Sequence, residues 1–177
     1  MKLTLDENVI VISYPNGKII INLPEFFPST ASAIRKLYKN VIGNMVSWDD
    51  RDRITDQMIT WLKARAAEAG DEDILRFYAN KSVSYHTKVT EIEPDIQKQT
   101  EKMEKLKANV ATLAPGEKKI YKELMDAEKD KLRKLKETKK DAFGYYRFYK
   151  NEFEKSKRKA EKLRENAALI EEIMGRK

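Results

Sequence analysis

The spacing of apolar positions changes along the chain, and each change predicts a different element. Val9-Ile10-Val11-Ile12 and Ile19-Ile20-Ile21 are β-branched runs separated by Tyr14-Pro15-Asn16-Gly17. Branched side chains suit a pleated surface, and Asn-Gly supplies the positive φ angles of a tight reversal, so the pattern predicts a β-hairpin over 9–23. Both runs are apolar on each face, and a lone two-stranded ribbon is marginal in water. Helices from later in the chain must therefore dock on it.

From Leu23 to Pro28 two prolines interrupt regular hydrogen bonding and predict a connector. Ser29 or Thr30 then caps a helix of about 30–42 whose apolar face carries Ile34, Leu37, Tyr38, Val41 and Ile42, with Gly43-Asn44 as its stop. A second helix, about 48–69, starts at Ser47 with Asp50 completing a capping box. Ile54, Met58, Trp61 and Leu62 form its inner stripe, and Gly70 closes it.

Beyond Asp71 the repeat becomes heptad. Leu75, Val89, Ile96, Met103 and Val110 share one position; Tyr78, Tyr85, Ile92, Leu106 and Leu113 share the other, with Ser82 and Gln99 as polar exceptions. The phase survives Pro94, which falls on the outer face. A continuous helix kinked at Pro94 is therefore expected, with a real break there as the alternative. After Ala114-Pro115-Gly116 the ladder resumes: Met125, Leu132, Tyr146, Phe153, Ala160, Ala167 and Met174 alternate with Tyr121, Leu135, Ala142, Tyr149, Leu163 and Ile170. The predicted helices, about 72–113 and 117–174, would reach roughly 63 Å and 87 Å at 1.5 Å per residue. A short turn at 114–116 makes them antiparallel and brings Tyr145 to Tyr149 beside Tyr78 and Tyr85. The expected fold class is mainly α with a small N-terminal β-hairpin (α+β). A head at 1–70 joins a long helical hairpin at 71–177, whose last turns, with Leu163, Ile170 and Met174, return to the head.

Composition agrees with long exposed helices, since 37% of the 177 residues are charged and only 6 are Gly and 5 Pro. The formal charge is +7, concentrated between Gln97 and Arg164, where roughly 22 Lys or Arg stand against about 12 Asp or Glu. A basic half suits polyanions or an acidic protein surface, and equally a solvated helix kept soluble by lysine. There is no cysteine, which removes disulfides and thiolate metal sites. Asp6 and Glu7 argue against a targeting peptide, and the longest apolar run cannot span a bilayer. A soluble, cytoplasmic chain without membrane partners is expected.

Catalytic chemistry is poorly provided for. His86 is the one histidine, so the common zinc sites and most nucleophilic triads are removed together. Asp49-Asp50-Arg51-Asp52-Arg53 is the densest acidic cluster. Its carboxylates are suited to magnesium, yet they sit in a first helical turn where Asp offsets the macrodipole. Pro115-Gly116-Glu117-Lys118-Lys119 lacks the spacing and preceding strand of a phosphate loop. No acid, base and pocket can be assembled, so the expectation is no enzyme, no cofactor and no metal.

The most distinctive stretch runs from Lys139 to Lys150. Tyr146, Tyr149 and Phe153 point inward in the heptad, whereas Phe143, Tyr145, Arg147 and Phe148 cannot share that face. Either the head covers these aromatics or they meet a partner. Together with Arg133, Lys134, Lys136, Lys139, Lys140, Lys150, Lys157, Arg158 and Lys159, Tyr145, Arg147 and Phe148 are the candidate contacts to a protein or nucleic acid.

With its cysteine-free composition, a β-hairpin from Val9 to Leu23, charged helices and no catalytic centre, the chain resembles the small anti-CRISPR proteins of phages and mobile elements. The resemblance spans the whole chain and rests on type rather than on a diagnostic motif. It implies stoichiometric inhibition by binding a Cas nuclease or its guide-RNA complex. The basic stalk departs from the acidic DNA mimics of that group, leaving guide RNA or an acidic protein face as targets. Direct nucleic-acid binding and a structural coiled-coil adaptor or dimer are the alternatives. Pairing of the two ladders within one molecule favours a monomer.

Overall fold

The computed structural model describes residues 1–110 and 112–176. It is mostly helical with an N-terminal antiparallel sheet, and it divides into two compact units. One comprises 1–72 with 155–177, the other 73–154.

The first unit opens with strands β1 (Lys2–Leu5), β2 (Val9–Tyr14) and β3 (Gly17–Asn22), paired antiparallel in that order. The sheet thus has a third strand beyond the predicted hairpin, because Leu3 and Leu5 alternate with polar residues and pair with Ile12 and Ile10. The hairpin turn also differs from expectation. Tyr14 pairs with Gly17, which places Pro15 and Asn16 at the central positions. Proline locks φ negative, and Gly175 alone has positive φ among the described residues. The reversal therefore does not use the Asn-Gly geometry.

The predicted connector contains one helical turn, α1 (Leu23–Phe26), with Pro24 in the first turn, where no N–H is needed. Thr30 is the cap of α2 (Ala31–Lys36), its hydroxyl accepting from the Ala33 amide at 3.4 Å. The chain then widens into a π-helical turn at Leu37–Ile42 and continues through α3 (Gly43–Met45). Gly43 is thus no stop signal. Its N–H bonds the Tyr38 carbonyl in the π pattern, and a Cβ there would sit 2.7 Å from that oxygen. The helix ends instead at Val46, which is extended.

Ser47 caps α4 (Trp48–Ala69) through the Asp50 amide at 3.3 Å and also bonds the Asp50 carboxylate at 2.9 Å. Ile54, Met58 and Leu62 are buried as expected; Trp61 is half-buried. Gly70 closes α4 with negative φ, and a Cβ on it would crowd Ala160 and the Arg164 guanidinium. The core joins Ile10, Ile12 and Ile21 of the sheet to Ile34, Ile54 and Leu62, and to Leu163, Ala167 and Ile170 near the C-terminus.

The second unit is an antiparallel hairpin made from α5 (Glu72–Val110) and the first part of α6 (Pro115–Ile173). Along α5 the residues shielded from solvent follow the predicted heptad, including polar Ser82 and Gln99, with Val89 and Met103 most deeply buried. Each such apolar burial contributes roughly 1.5–3 kcal/mol. Pro94 lies inside α5, exposed, so the helix is continuous rather than broken. It ends a turn earlier than predicted, and residue 111 of the predicted span lies outside the described residues. Pro115 and Gly116 belong to the first turn of α6 rather than to the corner. Glu117 reaches back to the Ala114 amide at 3.3 Å, half of a capping box.

Candidate recognition surface

Two aromatic clusters lie at one end of the hairpin unit because its heptads bring tyrosines from both helices together. On one side, Tyr85 of α5 stacks on Tyr145 at 5.0 Å and on Tyr149 at 5.7 Å between ring centres. Phe77 and Phe148 meet Tyr149 edge-on at 6.0 Å and 5.2 Å. On the other side, Tyr146 collects His86 at 5.2 Å and Phe143 at 6.0 Å. The predicted return of Tyr145 and Tyr149 beside Tyr78 and Tyr85 is observed.

The outer members of these clusters remain in water. Phe77, Phe143, Tyr145 and Phe148 are 49%, 46%, 53% and 55% exposed, far beyond what packing requires. Scattered exposed apolar residues are ordinary, but Phe77, Tyr145 and Phe148 gather around Tyr85 and Tyr149 on one side as a patch, with Phe143 exposed on the other. Cations are set over the rings. Lys81 lies 5.6 Å from the Phe77 ring centre, Lys88 4.9 Å from Tyr85, Arg147 5.9 Å from Phe143 and Lys150 5.8 Å from Tyr146. Such contacts hold each cation beside a ring at a modest gain and leave its charge available to an anion.

Gly144 marks the middle of the patch. It lies inside α6 with nothing within 4 Å of where a Cβ would stand. A glycine in a helix interior costs about 0.5–1 kcal/mol relative to alanine, and no neighbour in this chain requires it. Gly144 lines a shallow groove of about 630 Å³ together with Lys140, Asp141, Tyr145, Phe148 and Tyr149.

The basic residues farther along α6 fare differently. Lys139 occupies an inward heptad position and bonds Glu93 of α5 at 2.6 Å, so it links the helices rather than facing a partner. Arg133 pairs with Asp130 at 3.3 Å. Lys136, Arg133 and Lys140 border a depression of about 770 Å³ beside Met103, Met125 and Leu132, and Lys134 is exposed. Lys157, Arg158 and Lys159 belong to the first unit.

Sequence reasoning missed Phe77, Lys81, Lys88 and Gly144. Phe77 carried a usable signal, an aromatic ring outside the heptad positions with a lysine one turn later. It also missed Glu128, which replaces an apolar residue at an inward position and is only 3% exposed. Its carboxylate accepts from Lys102 at 2.9 Å, Gln99 at 2.5 Å and Lys131 at 3.0 Å. The Lys102 bond foremost, then those from Gln99 and Lys131, hold its pKa down at about 2. A layer of two helices shields the group from water contact but is too thin to desolvate it strongly, so donated bonds prevail over burial.

The acidic stretch after Ser47 is committed to structure. Arg53 pairs with Asp50, and Arg176 pairs with Asp52 and Asp56. Arg51 bonds the carbonyls of Val46 and Gly43 and lies 4.6 Å from the Trp48 ring centre. Among the described residues no group of three His, Cys, Asp or Glu is placed to hold a metal ion. No helix among them is long and apolar enough to cross a membrane.

By fold, the chain is an α+β protein carrying a heptad-paired helical hairpin. No family model matches it, and no curated protein or solved structure does so.

Proposed function

We propose that the chain is a non-enzymatic binding protein and that the aromatic and cationic surface around Gly144 is its recognition face. The observation that carries this reading is the exposure of Phe77, Phe143, Tyr145 and Phe148, with Lys81 held over Phe77 and Arg147 over Phe143. Aromatic and arginine side chains dominate binding energy at protein interfaces, and an exposed ring costs solubility unless something covers it. The helical glycine supports the same reading, because it lines a groove beside Tyr145 and Phe148 and no neighbour in the chain requires it.

The partner we propose is a protein or nucleoprotein. The resemblance to anti-CRISPR proteins supports a Cas nuclease with its guide RNA as the particular target, bound stoichiometrically and inhibited. The test is cleavage by a panel of guide-loaded Cas nucleases with the protein in large molar excess. The expected result is that one nuclease is blocked by the wild-type chain and spared by Tyr145→Ser/Phe148→Ser. Full activity across the panel removes the Cas assignment. Gel shifts on random DNA and RNA decide the alternative of direct nucleic-acid binding, which predicts a steep loss of affinity with salt from counterion release.

A further inference from the structure

We infer that the first unit carries a separate binding site for an amphipathic organic anion, an apolar body bearing a carboxylate or phosphate group. It is a cleft of about 770 Å³ between α1, α4 and the part of α6 near Leu163. That volume falls within the range of small-molecule sites, which are mostly apolar with a few polar groups at chosen places.

The floor is apolar and fixed. Phe27 stacks on Trp61 at 5.7 Å, and the Trp61 indole N–H donates to the Asn8 side chain at 2.9 Å, so the ring cannot swing away. Leu163 completes the base. The wall formed by α1 and the residues just after it carries Pro24 and Pro28. Neither has an N–H, and the Pro28 carbonyl already accepts from Lys162 at 2.7 Å. An extended peptide would find little backbone to pair with here. Base stacking is disfavoured as well, because Phe27 lies against the Trp61 ring and Arg65 stands 5.8 Å from its centre. What the lining offers is apolar surface and charge.

The charge is of one sign. Arg65 is already held by Glu68 at 2.8 Å. Arg158 and Lys159 also line the cleft, and both lack a carboxylate partner among the described residues. A planar guanidinium beside an ammonium matches the oxygens of a carboxylate or phosphate head, while the body of the ligand lies among Pro24, Phe27, Leu163 and the free part of Trp61 that lines the cleft. This site is independent of the hairpin surface and does not rest on the function proposed for it.

Trp61 reports on its own site. The chain has two tryptophans, and Trp48→Phe leaves Trp61 alone. Titration of that full-length variant with dodecanoate or dodecyl phosphate should change Trp61 emission saturably, with one-site behaviour. Dodecyltrimethylammonium, of equal chain length and opposite charge, should give no saturable change. Adding Arg158→Gln/Lys159→Gln should weaken anion binding by about tenfold, equivalent to about 1.4 kcal/mol, with the far-UV spectrum unchanged. No saturable response to either anion up to about 1 mM, where binding is worth only ~4 kcal/mol, overturns the proposal. So does an equal response to the cation, or unaltered affinity in the charge variant.

Discussion

Gln99 of α5 and Glu128 of α6 meet across the hairpin at inward heptad positions, the amide nitrogen 2.5 Å from the carboxylate. The same amide also bonds the Glu128 main-chain carbonyl at 3.1 Å. One side chain is thereby tied to both the backbone and the charge of the facing helix. A shift of register would separate this polar pair and bury its members unpaired, at the cost that accompanies any orphaned polar group. The apolar ladder supplies attraction between the helices; the pair marks which layers belong together.

Glu128 therefore makes the stability of the hairpin unit depend on acid. Its pKa is held at about 2, against an ordinary value of 4.5. A folded-state pKa below the unfolded one contributes stability that is present above pH 4.5 and is lost as pH falls towards 2. Thermal melts of Glu128→Gln should show a lower midpoint at pH 7 and a flatter profile between those limits. A variant as steep as the wild type through that window would assign the acid sensitivity to other carboxylates.

Two helical glycines should respond to alanine in opposite senses. At Gly144 the space is open, so Gly144→Ala should stabilise by about 0.5–1 kcal/mol through lower backbone entropy in the unfolded chain. At Gly43 a Cβ would meet the Tyr38 carbonyl at 2.7 Å, so Gly43→Ala should destabilise by about 1–3 kcal/mol or straighten the π turn. Urea denaturation of the two variants distinguishes these effects directly.

Pro94 sits within a continuous helix, exposed, without an N–H to complete the ladder. Pro94→Ala should raise stability by up to about 3 kcal/mol and slow amide exchange in the flanking turns. Unchanged exchange there would mean that the missing bond costs nothing in this context.

Tyr38 makes stability sensitive to alkali. Burial pushes its hydroxyl pKa up to about 12, partly offset by a hydrogen bond with Thr55, while the hydroxyl also donates to the Met58 sulfur at 3.3 Å. Below pH 10 both states keep the proton and stability is complete. Above it the unfolded chain ionises first, so stability falls as pH rises from 10 to 12. Ultraviolet titration should show one tyrosine ionising late, together with unfolding, and Tyr38→Phe should flatten that loss.

Much of the architecture was legible in one dimension. A heptad is a local property, so the two ladders, their polar exceptions and the meeting of Tyr85 with Tyr145 follow from spacing and a short connection. Ser47 and Thr30 act as caps because capping concerns neighbouring residues only. The site was legible in part. That Phe143, Tyr145 and Phe148 could not face inward is helical geometry, but whether the rest of the chain covers them is not.

Tertiary structure decided what depends on distant partners. Pro15 and the strand pairing put Gly17 on the strand and leave Pro15-Asn16, not Asn-Gly, at the centre of the hairpin turn. The close approach of the Tyr38 carbonyl, rather than helix termination, explains Gly43. Glu128 is acceptable inside the hairpin because Gln99 and Lys102 of the facing helix converge on it, and the cleft beside Trp61 exists because α1, α4 and α6 meet there. Sequence period determines which face of a helix is apolar; only packing determines which of the remaining groups are satisfied and which stay open to another molecule.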